Sequence, residues 1–225
     1  MSKNILFIGS YPPPFGGVSS LLSQIGPKFI KKGYKMNIIS FESKKKIEID
    51  NGIKIFRKKN NINFKIMFFL LKNSFLIYKC LKKFFHNKNL LSWFNLSILI
   101  KSFHVLKHII KFNPSSVTVF TTRLGFMIPY LKILNQNLKI NYCIFADPYK
   151  NPDFYKVNYD WYRECLLSSN VVLSSSNYCA NSVKNYAPEI NTKSIYIGVD
   201  LDRFNIKISL NQIRENLSLP NKPIV

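Results

Sequence analysis

The chain has 225 residues, 47% of them apolar, which is enough for a substantial core and excludes a disordered chain. Its 33 lysines and arginines against 11 acids leave a formal charge of +22, so nucleic acid and anionic membrane surfaces both have to be weighed as partners. Cys80, Cys143, Cys165 and Cys179 show neither metal-ligand nor disulfide-framework spacing and read as reduced thiols of a cytoplasmic protein.

The first apolar run, Ile5 to Ile8, is too short for a secretory signal, which needs roughly 7–15 apolar residues. It reads as a strand buried on both faces. Gly9-Ser-Tyr-Pro-Pro-Pro-Phe-Gly-Gly17 follows. Pro12, Pro13 and Pro14 can neither donate to a ladder nor continue a helix, so they hold a stiff extended loop. Gly16 and Gly17 let the backbone turn and approach something closely. Val18, Leu21, Leu22, Ile25 and Phe29 then fall at helical spacing. A helix N-terminus facing a loop at the end of a strand is an anion site in outline, with Gly16, Gly17 and Val18 at its mouth. The loop is too long and proline-rich for a dinucleotide fingerprint. Gly33 stops the helix, Met36–Phe41 is a second strand, the charged stretch from Glu42 to Asp50 is a connection, and Ile53–Arg57 is a third strand. This beginning is a right-handed βαβ unit.

The middle differs. From Phe64 to Phe85 lysines 65, 72, 79 and 83 share one narrow helical stripe and nearly every other position is apolar or aromatic. Leu90 to Phe112 repeats the mixture with Lys101, Lys107 and Lys111. Neither holds the 18-residue apolar run of a spanning helix. Two readings stay open: a buried helix pair capping a sheet edge, or a basic amphipathic surface on anionic lipid. His104 and His108 stand four apart, but the Val-Leu-Lys between them lacks the acid of a zinc motif, so they read as surface or interface histidines and no metal is expected.

Strand and helix then alternate: strand Val117–Thr121, helix Leu124–Leu134, strand Ile140–Phe145, helix Tyr159–Leu167, strand Val171–Leu173, helix Asn177–Tyr186, strand Ser194–Ile197. This order predicts an α/β fold with a Rossmann-like, doubly wound, mostly parallel sheet. Ligands of such sheets sit beyond the strands' carboxyl ends, so loops 9–17, 121–125, 145–153 and 174–177 supply the cleft candidates Ser10, Arg123, Asp153 and Ser175. Asp147 follows a strand and could serve as hydrogen-bond acceptor or base, although Asp147-Pro and Asn151-Pro also make ordinary turns.

With the proline-rich strand exit ending in Gly-Gly-Val18, the strand-serine-helix segment 171–186 and Gly198-Val-Asp-Leu-Asp-Arg-Phe204, the chain resembles the N-terminal half of family 4 glycosyltransferases from residue 4 to about 222. The resemblance implies a GT-B fold and places Gly16 and Gly17 close to the donor diphosphate and the acceptor. Where that family often carries a cleft histidine this chain has Ala146 and Asp147. Residues 1–200 would be the acceptor-side domain. Residues 201–225 would be a crossover linker, with a helix from Leu210 to Leu217, leading into a missing donor-binding domain whose paired glutamates have no match here. The implied activity is transfer, with retention, of a sugar from a nucleotide-sugar donor to a saccharide or lipid-linked acceptor of the cell envelope, without a cofactor. The protein would be peripheral on the cytoplasmic face of the membrane and inactive without the second domain. Two alternatives remain: a noncatalytic subunit or relic of a split enzyme, and a nucleic-acid-binding protein. The latter is not favoured, because no ribonucleoprotein motif, zinc finger or arginine stripe accompanies the charge.

Overall fold

A computed structural model describes residues 3–42, 46–86, 93–134, 136–145, 159–198 and 210–218. Eight strands form one sheet: β1 (Asn4–Ile8), β2 (Lys35–Phe41), β3 (Lys46–Asp50), β4 (Ile53–Lys58), β5 (Ser116–Phe120), β6 (Lys139–Ile144), β7 (Val171–Ser174) and β8 (Thr192–Ser194). Their order is β3-β4-β2-β1-β5-β6-β7-β8, parallel except for β3, which runs antiparallel to β4. The chain leaves β1 toward β2 on one side and later returns to lay β5 on the other, with Ile8 beside both Ile39 and Val119. The order therefore reverses between β1 and β5, and a crevice opens at that switch point.

The two sheet faces carry different helices because side chains alternate along each strand. Ile5, Phe7, Ile38 and Ile55 pack with α1 (Gly17–Lys31), which buries Leu22. Gly33 ends α1 at φ +78, with its N–H donating to Ile30 O at 2.9 Å while Tyr34 N–H reaches Phe29 O at 3.1 Å. On the other face Leu6, Ile8, Ile39, Val117, Val119, Ile140 and Val172 join a larger core. It is covered by α2 (Phe64–Lys72), α3 (Ser74–His86), α4 (Trp93–Phe112), α6 (Ile128–Leu134), α7 (Tyr159–Leu167) and α8 (Asn177–Tyr186). Short α5 (Thr122–Gly125) precedes α6, and α9 (Leu210–Asn216) lies where the sequence predicts the linker helix.

Three expectations change. The charged connection contains β3, an edge strand in which Lys46, Glu48 and Asp50 alternate with the exposed Ile47 and Ile49, joined to β4 by Asn51 and Gly52 at φ 49° and 80°. The helix over 124–134 is split into α5 and α6, because Pro129 has no N–H to donate back to the Gly125 carbonyl. The last strand is Thr192–Ser194, so residues 195–197 lie beyond it. The two readings of the middle divide between its helices. In α4, Ile98, Leu99, Phe103, Val105, Leu106 and Ile109 are buried, so α4 is a core helix, whereas α2 and α3 are buried along one side only.

Candidate functional site

Parallel strands aim their carboxyl ends at one edge of the sheet, and the structure brings the described candidates there. Ser10 is exposed just after β1, Gly16 and Gly17 are exposed at the start of α1 with Val18 half-buried behind them, Arg123 follows β5 and Ser175 follows β7. Ser175 donates through its N–H to Ile144 O at 3.2 Å and lies close to Phe145 O through its hydroxyl. Asp147 and Asp153 fall outside the described residues.

Helix α1 begins bare. No side chain caps it and no acid lies in its first turn. The first intrahelical bond runs from Ser20 N–H to Gly16 O at 2.8 Å, so the N–H groups of Gly17, Val18 and Ser19 have no partner within the helix. Gly16 is extended, with φ −176°, and a side chain at Gly17 would meet nothing within 4 Å. The expectation that these glycines serve a backbone turn is therefore corrected: the conformation at Gly16 is open to any residue, and the fold has room for a side chain at Gly17.

The proline loop is held from beneath. Arg57 of β4, only 4% exposed, donates to the carbonyls of Tyr11 at 3.1 Å, Pro12 and Pro13 at 2.9 Å. It also donates to the carboxylates of Glu42 and Glu48, the latter at 3.0 Å from Nε. A planar guanidinium has five donors in a fixed fork, and here nearly all are used. Hydrogen bonding from Lys46 and then Arg57 holds the Glu48 carboxyl below the usual carboxylate range. Tyr11 donates to Asp50 at 2.6 Å, and burial followed by that bond keeps its phenol protonated. The sequence gives Arg57 as an ordinary strand residue; nothing local distinguishes it from the neighbouring lysines.

At the end of β5, Thr121 has φ 85°, a left-handed conformation strained for a β-branched residue, and its N–H donates to Cys143 O at 3.2 Å. The backbone bends there into α5 and Arg123. Lys101 of α4 is drawn into the same neighbourhood. It stands 5.6 Å from the Phe41 ring centroid, and burial together with the Arg123 charge lowers its pKa. The half-buried Lys101 and the exposed Arg123 thus put two positive charges at this edge, an arrangement that an anion would relieve. The sequence marks Lys101 only as one lysine of a basic helix and not as a neighbour of this edge, because β2 and α4 meet only in the fold.

A groove of about 380 Å³ runs along the α1 face of the sheet toward the same edge, floored by Thr118, Phe120, Asn141 and Cys143 and flanked by Phe29 and Ile197. Burial pushes the Cys143 thiol up to about 12, so it is inert there. All four cysteines are buried and free. The expectation of surface or interface histidines changes, since both pack within the fold. His104 is 6% exposed, with its Nε2 2.9 Å from Asn61 O, and His108 is half-buried against Phe56. Among the described residues no group of three or more His, Cys, Asp or Glu could hold a metal.

No family model matches the sequence, and no curated protein matches it. Solved structures do. Sucrose-phosphate synthase from Thermosynechococcus elongatus aligns over 98% of this chain and 54% of its own, with TM-score 0.71 and 11% identity. A trehalose-6-phosphate protein from E. coli bound with UDP-2-fluoro glucose aligns over 95% and 54%, with TM-score 0.57 and 12% identity. The lipopolysaccharide outer core galactosyltransferase WaaB aligns over 88% and 46%, with TM-score 0.55 and 14% identity. The chain thus has the Rossmann-like fold of GT-B glycosyltransferases and spans about half the length of these structures.

Proposed function

We propose that the chain is the acceptor-side lobe of a nucleotide-sugar-dependent glycosyltransferase. The observation that carries this reading is the bare N-terminus of α1 at the β1–β5 switch point, with Arg123 and Lys101 beside the same edge. The likeness to structures named for sugar transfer adds to it.

In the proposed reaction the bond between the sugar's anomeric carbon and the donor diphosphate breaks, an acceptor hydroxyl forms the new bond on the same face, and its proton passes to a base. Negative charge grows on the diphosphate as it leaves. The N–H groups of Gly17, Val18 and Ser19 are fixed donors for that charge and need no reorganisation. Arg123 supplies a further cation. Ser10 and Ser175 offer hydroxyls for orienting the acceptor, and Asp147 and Asp153 are the acids assigned to proton transfer or hydroxyl binding. The acceptor is a saccharide, in the finer form lipid-linked or part of the cell envelope, and the transfer retains anomeric configuration. No cofactor or metal enters this scheme.

A second lobe would supply the grip on the nucleotide, so residues 1–225 alone should not turn over. The test is nucleotide release from a panel of nucleotide sugars and saccharide acceptors, measured for this chain alone and fused to a donor-binding lobe. Turnover only in the fusion supports the reading. Robust turnover by residues 1–225, or none in any well-folded fusion, overturns it.

A further inference from the structure

Helices α2 and α3 are apolar on two opposite sides. Inward, Ile66, Phe69 and Cys80 are buried, with Leu70, Leu76, Ile77 and Leu81 packed against the same core. Outward, Phe64 is 75% exposed, Phe68 63%, Leu71 71%, Phe75 69% and Tyr78 60%, with Met67 beside them. These positions recur every three or four residues, the spacing of one helical face. Asn73 separates the two helices without breaking the ladder: its N–H reaches Phe69 O at 3.1 Å and its carbonyl accepts from Ile77 N–H at 3.0 Å. The outward row therefore continues from one helix into the next. A helix that is apolar all round is ordinarily buried, and burial on one side leaves the other to be accounted for.

The surrounding charge names the partner. Between Asp50 and Asp147 the sequence carries 16 lysines and arginines and not one acid. Lys65, Lys72, Lys79 and Lys82 are exposed on α2 and α3, and Lys79 lies over the Phe75 ring at 4.5 Å. Lysine stems beside an aromatic row with ammonium groups spread around it suit the boundary between acyl chains and anionic headgroups. No helix among the described residues is long and apolar enough to cross a membrane, so the contact would lie along the surface.

We propose that the outward face of α2–α3, centred on Phe68 and Phe75, docks the protein on an anionic lipid surface, with the aromatic row entering the acyl boundary and the lysines on the headgroups. The inference is independent of the transfer chemistry. It narrows the basic surface expected from the sequence to one of its two stretches, since α4 is spent on the core.

Flotation with vesicles of phosphatidylcholine, alone or mixed with about a third phosphatidylglycerol, tests it, using the full chain and checking each variant's melting. The protein should float with the mixed vesicles and much less with the neutral ones, and salt should weaken the binding. Each lysine is worth about fivefold in partitioning, so Lys72→Gln with Lys79→Gln should lower binding about 25-fold. Phe68→Ser with Phe75→Ser should lower it about tenfold or more while melting is unchanged, because both rings are exposed. Binding indifferent to Phe68 and Phe75, equal binding to neutral vesicles, or no flotation would overturn the proposal. So would a dimer in dilute solution that Phe68→Ser dissolves without any vesicle binding, or retention by nucleic acid alone.

Discussion

The guanidinium of Arg57 donates to the carbonyl of Pro13 at 2.9 Å, tying the carboxyl end of the third parallel strand to a loop more than 40 residues earlier. The neighbouring carbonyls of Tyr11 and Pro12 share the same group, so one side chain holds three carbonyls of the loop that borders the α1 N-terminus. Arg57→Met would take this donor from three carbonyls and two carboxylates, leaving Glu42 with Ser40 and Glu48 with Lys46. We expect a loss of about 3 kcal/mol in urea unfolding. Arg57→Lys should recover little of it, because one ammonium cannot reproduce the fork. Equal stability of the Lys variant and the native chain would show that charge alone matters.

Gly17 separates a ligand requirement from a fold requirement. The fold leaves open space at its missing Cβ, so Gly17→Ala and Gly17→Val should melt close to the native chain. In a two-lobed fusion Gly17→Val should nonetheless remove most transfer, since the side chain would stand where a phosphate meets the helix N-terminus. Undiminished turnover would take Gly17 out of the site.

Gly125 is the opposite case. A Cβ there would lie 2.1 Å from the ring of Tyr142, which is buried and donates its hydroxyl to Thr122 O at 3.0 Å. Gly125→Ala should therefore destabilise the chain by about 2 kcal/mol in denaturant unfolding, by forcing the ring and α5 apart. An unchanged midpoint would mean that the ring moves freely.

His108 should make stability depend on pH. Burial, then Lys58, Lys111 and Lys54, lower its pKa from 6.5 to about 4, and the Asn37 amide donates to its Nε2 at 3.0 Å. Protonation would set a donor against a donor. The unfolded chain takes up this proton near pH 6.5 and the folded chain only near 4, so the contribution is complete above about 6.5 and fades as pH falls toward 4. Up to about 3 kcal/mol is at stake. His108→Gln, which keeps an acceptor for Asn37, should flatten the slope in that window, as read by unfolding at a series of pH values.

Periodicity made most of the sheet and its covering helices legible, because buried parallel strands are short apolar runs and α1 repeats every three or four residues. It failed where tertiary context decides. β3 alternates charged residues with Ile47 and Ile49 and leaves both isoleucines exposed at an edge, so no buried run marks it, although the alternation and the Asn51-Gly52 turn beside it were readable hairpin signals. α2 and α4 look alike in composition, and only packing shows that one faces outward and the other is enclosed. At the candidate site the loop glycines and the strand-end residues could be listed from the sequence. Arg57, Lys101 and the left-handed Thr121 could not, since their roles arise from contacts between distant segments.

The two ends of the sheet also govern how the chain behaves when concentrated. One border is the five-residue β3, which sets Lys46, Glu48 and Asp50 in alternation with the exposed Ile47 and Ile49, and the other is the three-residue β8, Thr-Lys-Ser. Neither offers the long, flat, apolar rim on which a second chain could add a strand. Self-association should therefore proceed through the aromatic side of α2–α3 and remain reversible, with mild detergent dispersing it, rather than growing as fibrils along the strand direction.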